Sequence, residues 1–177
     1  PTFICPEADA VGKTLISTTK SLTLEGLQFQ RRIPDQVTAG GWVIASREAP
    51  LFLANCRVLV AGGQPPSAIL SLYSPKVFVR NCEIIHEKGG HGVSVSMALP
   101  SKVYMEVTNS VLFSLNLAVE RESVGDVSVF VNQNTLWAGT PLRITLKDKD
   151  KIPAKGGGIR INLTGNVLDG RQGTVVL

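Results

Sequence analysis

A short pattern recurs along the whole of this chain: an alternating strand-like segment, an Asn, and a second alternating segment. Clear copies run Leu51–Val58, Val77–Ile84, Val103–Leu112, Val127–Leu136 and Ile159–Leu168. A weaker copy, Leu22–Phe29, carries Gly26 in place of the Asn. The marker residues stand at 26, 55, 81, 109, 134 and 166, so the steps are 29, 26, 28, 25 and 32. A near-fixed period of this size makes each repeat one supersecondary unit, unable to bury its apolar face alone and stable only when stacked on its neighbours.

The alternation has period two, which is strand periodicity with one face buried. A third strand candidate lies between successive markers: Trp42–Ser46, Ala68–Leu72, Val93–Met97, Leu115–Val119 and Leu142–Leu146. No segment has helical spacing. Three strands per period predict an all-β, right-handed, single-stranded parallel β-helix of about six coils. At the usual ~4.8 Å between strands that is a rod roughly 29 Å long. A β-sandwich of regular short strands is the main alternative. Parity then assigns faces. The inner position after the corner reads Cys56, Cys82, Ser110, Thr135, Val167, a row of small side chains. Asn55, Asn81, Asn109, Asn134 and Asn166 are expected at the corner itself, where Asn tolerates left-handed backbone and its amide can bond its stacked copy. Arg57 and Glu83 fall outside.

The recurring V-x-V-x-N-C-x-I pattern resembles the repeats of the pectin-lyase-like parallel β-helix family, over nearly all of residues 20–170. That resemblance implies a fold rather than an activity, because the scaffold carries lyases, hydrolases and non-catalytic modules alike. The segments S-L-T-L-E-G-L-Q-F-Q-R-R and A-P-L-F-L-A-N-C-R-V also resemble the β-helix regions appended to planctomycete-type bacterial receptor serine/threonine kinases. In that setting the chain is a sensing or scaffolding region on the extracytoplasmic side of a bacterial membrane. The kinase signatures H-R-D and D-F-G are missing, so no phosphoryl-transfer residue carries over.

Length predicts a single domain over 1–177, with 1–19 an incomplete first coil and 20–170 the repeats, in a segment expected to come from a longer protein. Hydrophobic content of 44% against 18% charged residues suffices for a continuous core. No stretch of 18 apolar residues is present, so no membrane insertion by this segment is expected. The net charge of +4 is partly local to Lys147, Lys149, Lys151 and Lys155, a run interrupted by Asp148 and Asp150. Without interleaved aromatics it reads as a solvated loop, and nucleic acid is not an expected partner. Of the three cysteines, Cys56 and Cys82 are expected inside on adjacent coils as buried thiols, since in-register parallel neighbours rarely offer the Cβ directions of a disulfide.

Candidate chemistry is sparse. Gly89-Gly90-His91-Gly92 resembles the G-H-G segment of polygalacturonase-type glycosidases on this fold, and Arg160-Ile161-Asn162 resembles that family's R-I-K. Glycoside hydrolysis needs two carboxylates about the scissile bond, and the acidic segments that supply them in that family are missing here. Only Glu83 lies on the preceding strand pair. His91 and Arg160 are therefore the residues of an enzymatic alternative, while a turn followed by a strand accounts equally for the glycines and His91. His86, Glu87 and His91 make a weak metal signal. The acids Asp35, Asp126, Asp148, Asp150 and Asp169 are too scattered for a calcium cage. Neither metal nor cofactor is expected.

The remaining feature is a surface. Phe52, Phe78 and Tyr104 are expected at one outward position on three successive coils, with Thr23, Ser128 and Arg160 on the flanking ones. Stacked exposed aromatics mark a contact site or a groove for sugar rings, unless loop 30–41 or 147–158 folds over them. Open strand edges at either end also invite self-association. The sequence thus points to a non-catalytic module that binds a carbohydrate or protein partner on its strand faces. A polysaccharide lyase or hydrolase and a structural solenoid segment are the alternatives.

Overall fold

The computed structural model describes residues 1–5, 14–34, 42–62, 70–88, 91–97, 102–114, 116–121, 126–138, 140–146, 158–170 and 175–176. Among the described residues the elements are all strands, and every pairing between them is parallel. Sheet A holds β1 (Thr2–Cys5), β4 (Gln28–Ile33), β7 (Arg57–Gly62), β10 (Glu83–His86), β13 (Val111–Phe113), β16 (Thr135–Ala138) and β19 (Val167–Gly170). Sheet B holds β2 (Ile16–Thr18), β5 (Ile44–Arg47), β8 (Leu70–Tyr73), β11 (His91–Met97), β14 (Asn116–Arg121), β17 (Leu142–Leu146) and β20 (Val175–Val176). Sheet C holds β3 (Leu22–Glu25), β6 (Leu51–Ala54), β9 (Lys76–Arg80), β12 (Val103–Thr108), β15 (Val127–Asn132) and β18 (Ile159–Thr164). The chain visits C, A and B in turn and climbs one strand in each sheet per circuit. This is a parallel β-helix. Sheets of seven, seven and six strands slightly exceed the six coils expected.

The core is a set of apolar columns, one residue per rung. On sheet C the columns Leu51–Val77–Met105–Val129 and Leu53–Val79–Val107–Val131 follow the strand register and are sealed from solvent. Sheet A supplies Phe29, Val58, Ile84, Leu112 and Leu136, and sheet B supplies Ile44, Val93, Leu117, Val119, Leu142 and Ile144. Burial of each is worth roughly 1.5–3 kcal/mol against leaving it exposed. The columns thin out in the last described rung, where Ile159 and Leu163 are exposed.

The corner between sheets C and A turns on one left-handed residue per rung: Gly26, Asn55, Asn81, Asn109, Gln133 and Gly165, with φ from 48° to 66°. This corrects the expected corner in two rungs. Asn55, Asn81 and Asn109 stand there, but Asn134 and Asn166 do not. Each lies one residue further on and points inward. The physical reason is parity. The last inward residue of each sheet C strand (Leu53, Val79, Val107, Val131, Leu163) lies two before the corner, which assigns it to 133 and 165. Thr135 and Val167, expected inside, are exposed in consequence. The inner row after the corner is therefore Cys56, Cys82, Ser110, Asn134 and Asn166.

Both sets of amides bond along the stack. Outside, Asn109 Nδ2 donates to Asn81 Oδ1 at 2.9 Å, Asn81 Nδ2 to Asn55 Oδ1 at 3.2 Å, and Asn55 Nδ2 to Glu25 Oε1 at 3.2 Å. Inside, Asn134 is 2% exposed. Its Oδ1 accepts Ser110 N–H at 2.8 Å, and its Nδ2 donates to the Val107 and Asn132 carbonyls at 2.8 and 2.9 Å. Asn166 Oδ1 accepts Asn134 N–H at 2.8 Å, and Asn166 Nδ2 donates to the Val131 carbonyl at 2.6 Å.

Candidate functional site

The sequence singled out the outer face of sheet C, and its aromatic side chains do meet. Phe52 stacks on Phe78 with centroids 4.8 Å apart and planes within 4°. Tyr104 lies 5.3 Å from Phe78 and 5.3 Å from Phe130. Two details differ from expectation. Thr23, Phe52 and Phe78 share one register row, but the next members are Glu106, Phe130 and Asn162. Tyr104 belongs to the adjacent row with Lys76, Ser128 and Arg160, and its ring leans across to bridge Phe78 and Phe130. Phe130 was missed. Counting three residues back from the corner at each rung finds it; aligning the copies on their first Val does not.

These rings are half-buried, and the faces of Phe52 and Phe78 are turned toward each other. What that pair offers solvent is mainly ring edge. The Phe52–Phe78 and Phe78–Tyr104 contacts tie successive rungs together. Of the loops 30–41 and 147–158 that the sequence suggested as covers, 30–33 belong to β4, and 35–41 and 147–157 lie outside the described residues. At one side of the ladder the Tyr104 hydroxyl donates to Glu106 at 2.8 Å, with Arg80 3.7 Å from the same carboxylate. Desolvation, and then the Glu106 carboxylate, push the Tyr104 hydroxyl above its ordinary range. A groove of about 590 Å³ opens beside Tyr104, where Lys76, Lys102 and Arg160 face Asp126 and Ser128. Asp126 is engaged by Lys102 at 3.4 Å and by the Gly158 N–H at 3.2 Å.

The outer face of sheet A presents a second apolar row that the sequence reading did not find. Ile4, Gln30, Leu59, Ile85, Phe113, Trp137 and Asp169 are in register on seven successive strands. Ile4 is 70% exposed and Trp137 43%. Phe113 and Trp137 meet edge to face at 4.6 Å and 78°. The neighbouring row adds exposed Val111 and Val167 beside an Arg57–Glu83 ion pair at 2.6 Å. A groove of about 420 Å³ runs along the first rungs of this face, lined by Ile4, Gln30, Arg32, Leu59, Ile85 and Glu87. The signal was present: four residues past the corner, the side chain points outward at every rung.

The residues of the enzymatic alternative do not converge. His91 opens β11 on sheet B, while Arg160 is on β18 of sheet C. From β12, which follows β11, to β18 the stack climbs two rungs, about 10 Å. Gly89 and Gly90 lie outside the described residues. Among the described residues, no group of three His, Cys, Asp or Glu side chains is placed to hold a metal ion. His86 points inward and is buried. Its Nδ1 accepts the Lys88 N–H at 3.0 Å, its Nε2 has no hydrogen-bond partner, and desolvation lowers its pKa. Cys56 and Cys82 are buried free thiols. Comparison with protein-family models, curated proteins and solved structures finds no match to this chain.

Proposed function

We propose that this chain is a non-catalytic β-helix module that seats an extended carbohydrate chain along the outer face of sheet A. The observation that carries the reading is the outward-facing row from Ile4 through Leu59, Ile85 and Phe113 to Trp137, half-buried in its middle and exposed at Ile4 and Trp137. Five steps of ~4.8 Å make it roughly 24 Å long, and two outward rows make it only about 7 Å wide. That is roughly 170 Å², far below the ~800 Å² per partner of a stable protein interface. A long narrow strip suits a polymer whose units repeat along the stack. Trp137 and the aliphatic side chains offer packing surface to sugar rings, and Gln30, Arg57 and Glu83 offer donors and acceptors to hydroxyls. The resemblances noted in the sequence support the setting: a pectin-lyase-like scaffold without its acid pair, used for sensing or scaffolding beside a bacterial receptor kinase. No observation favours catalysis by His91 and Arg160.

Calorimetric titration with soluble polygalacturonate, alginate and mixed-linkage β-glucan tests the reading. Saturable binding to at least one, weakened at least tenfold by Trp137→Ala and unchanged by Phe52→Ala, is the expected result. Binding that ignores Trp137, or no binding to any of the three, refutes it. Release of new reducing ends would establish the lyase or hydrolase alternative instead.

A further inference from the structure

We infer that Cys56 and Cys82 are an oxidation-responsive pair that closes into a reversible disulfide across two adjacent rungs. Register places them together. Arg57 pairs with Glu83, Asn55 N–H donates to the Arg80 carbonyl, and Glu83 N–H donates to the Cys56 carbonyl. Residues 56 and 82 therefore lie directly above one another, inward, at the ~4.8 Å ladder spacing of their Cα atoms. That spacing is inside the 4.4–6.8 Å range of disulfides; in-register parallel neighbours seldom aim their Cβ atoms for one, so the bridge forms only with a small local shift of the two rungs. The resulting strain makes the bridge labile rather than permanent.

The resting state is the dithiol. Both side chains are buried, at 3% and 4% exposure. Cys56 Sγ donates to the Ala54 carbonyl at 3.2 Å, and Cys82 Sγ donates to the Arg80 carbonyl at 3.2 Å. Their mutual interaction makes Cys56 the more acidic and Cys82 the less acidic of the two. Cys56 is thus the thiol that gives up its proton first and attacks, and Cys82 the one that resolves.

The oxidant is hydrogen peroxide. The Cys56 thiolate attacks the terminal oxygen, the O–O bond breaks, and the leaving oxygen takes a proton to become water, which leaves a sulfenic acid. Cys82 Sγ then attacks the Cys56 sulfur. The S–S bond forms, the S–O bond breaks, and the hydroxyl leaves as water with the Cys82 proton. Two thiols and one hydrogen peroxide thus give one disulfide and two waters, and an exogenous dithiol reverses the change.

The test treats the folded chain with stoichiometric hydrogen peroxide, quenches it with acid, and maps the peptides by mass spectrometry without reduction. The expected product is a Cys56–Cys82 peptide pair lighter by two hydrogens, abolished by dithiothreitol, with an unchanged circular dichroism spectrum. The Cys5→Ser variant gives the same pair. Cys82→Ser instead accumulates a dimedone-trappable sulfenic acid at Cys56. The inference is overturned if Cys56 runs on to sulfinic acid in the wild-type chain, if all linkages involve Cys5 or a second molecule, or if the pair forms only in denaturant.

Discussion

Asn134 is the residue whose removal the fold should feel most sharply. Its carboxamide is sealed from water and serves three backbone groups: it accepts from Ser110 N–H and donates to the carbonyls of Val107 and Asn132. Asn134→Ala leaves a buried N–H without a partner and takes one bond from each carbonyl. An unsatisfied buried group costs about 1–3 kcal/mol. Charging the N–H in full and the carbonyls in part gives a loss of about 4 kcal/mol, a large share of the roughly 5–15 kcal/mol stability of an ordinary domain. Asn134→Ser separates hydrogen bonding from packing. One rung below, Ser110 Oγ already accepts Cys82 N–H at 3.0 Å and donates to the Thr108 carbonyl at 2.9 Å. A hydroxyl at 134 reproduces that pair of bonds and forfeits those to the Val107 carbonyl and to Asn166 Oδ1, a loss of about 1–2 kcal/mol. Urea unfolding followed by far-ultraviolet circular dichroism reads the difference by linear extrapolation. If serine costs as much as alanine, or if alanine costs no more than 1 kcal/mol, the reasoning from buried amide bonding is wrong.

Two further outcomes follow from the side chains described above. Phe78→Ala removes the middle ring of the sheet C ladder and its contacts with Phe52 and Tyr104; at ~0.5–1.5 kcal/mol per aromatic contact plus half a side chain's burial, it should lower stability by about 2–3 kcal/mol in the same assay, and a loss under 1 kcal/mol would mean the rings merely coexist. His86 is held neutral by burial, so above the unfolded value of about 6.5 neither state binds a proton and its contribution is flat. Below that value the unfolded chain takes up a proton that the native chain resists, so stability falls with pH until the lower native pKa is reached. His86→Gln should flatten the profile between pH 7 and 5, and an unchanged slope would assign the acid sensitivity elsewhere.

The period and the alternation made the solenoid legible, because each rung repeats the same burial problem and Val, Leu and Ile solve it alike. They did not make register legible where a rung changes its chemistry. Gln133 and Gly165 occupy left-handed corners that Asn fills in the three rungs before them, and the Asn after each imitates the marker from an inward position. Reading identity instead of parity there displaced Asn134 and Asn166. Aligning the copies at their first Val put Tyr104 in a row that belongs to Glu106, and hid Phe130. The sheet A row escaped notice for another reason: its members are Ile, Leu, Phe and Trp in different rungs, and no single residue type announces it. Which way a ring faces depends on its neighbour's rotamer, and that only the packed structure shows.

The outer Asn row has a sense as well as a length. From Asn109 through Asn81 to Asn55 every amide hydrogen points toward the amino-terminal rungs, and the last meets a carboxylate, Glu25. Aligned amides in series polarise one another, and a negative charge at the hydrogen end reinforces all of them. The corner thus acts as a small electric column with its counter-charge built in. Neutralising Glu25 should therefore loosen amides rungs away from it, although that side chain sits exposed at the column's foot.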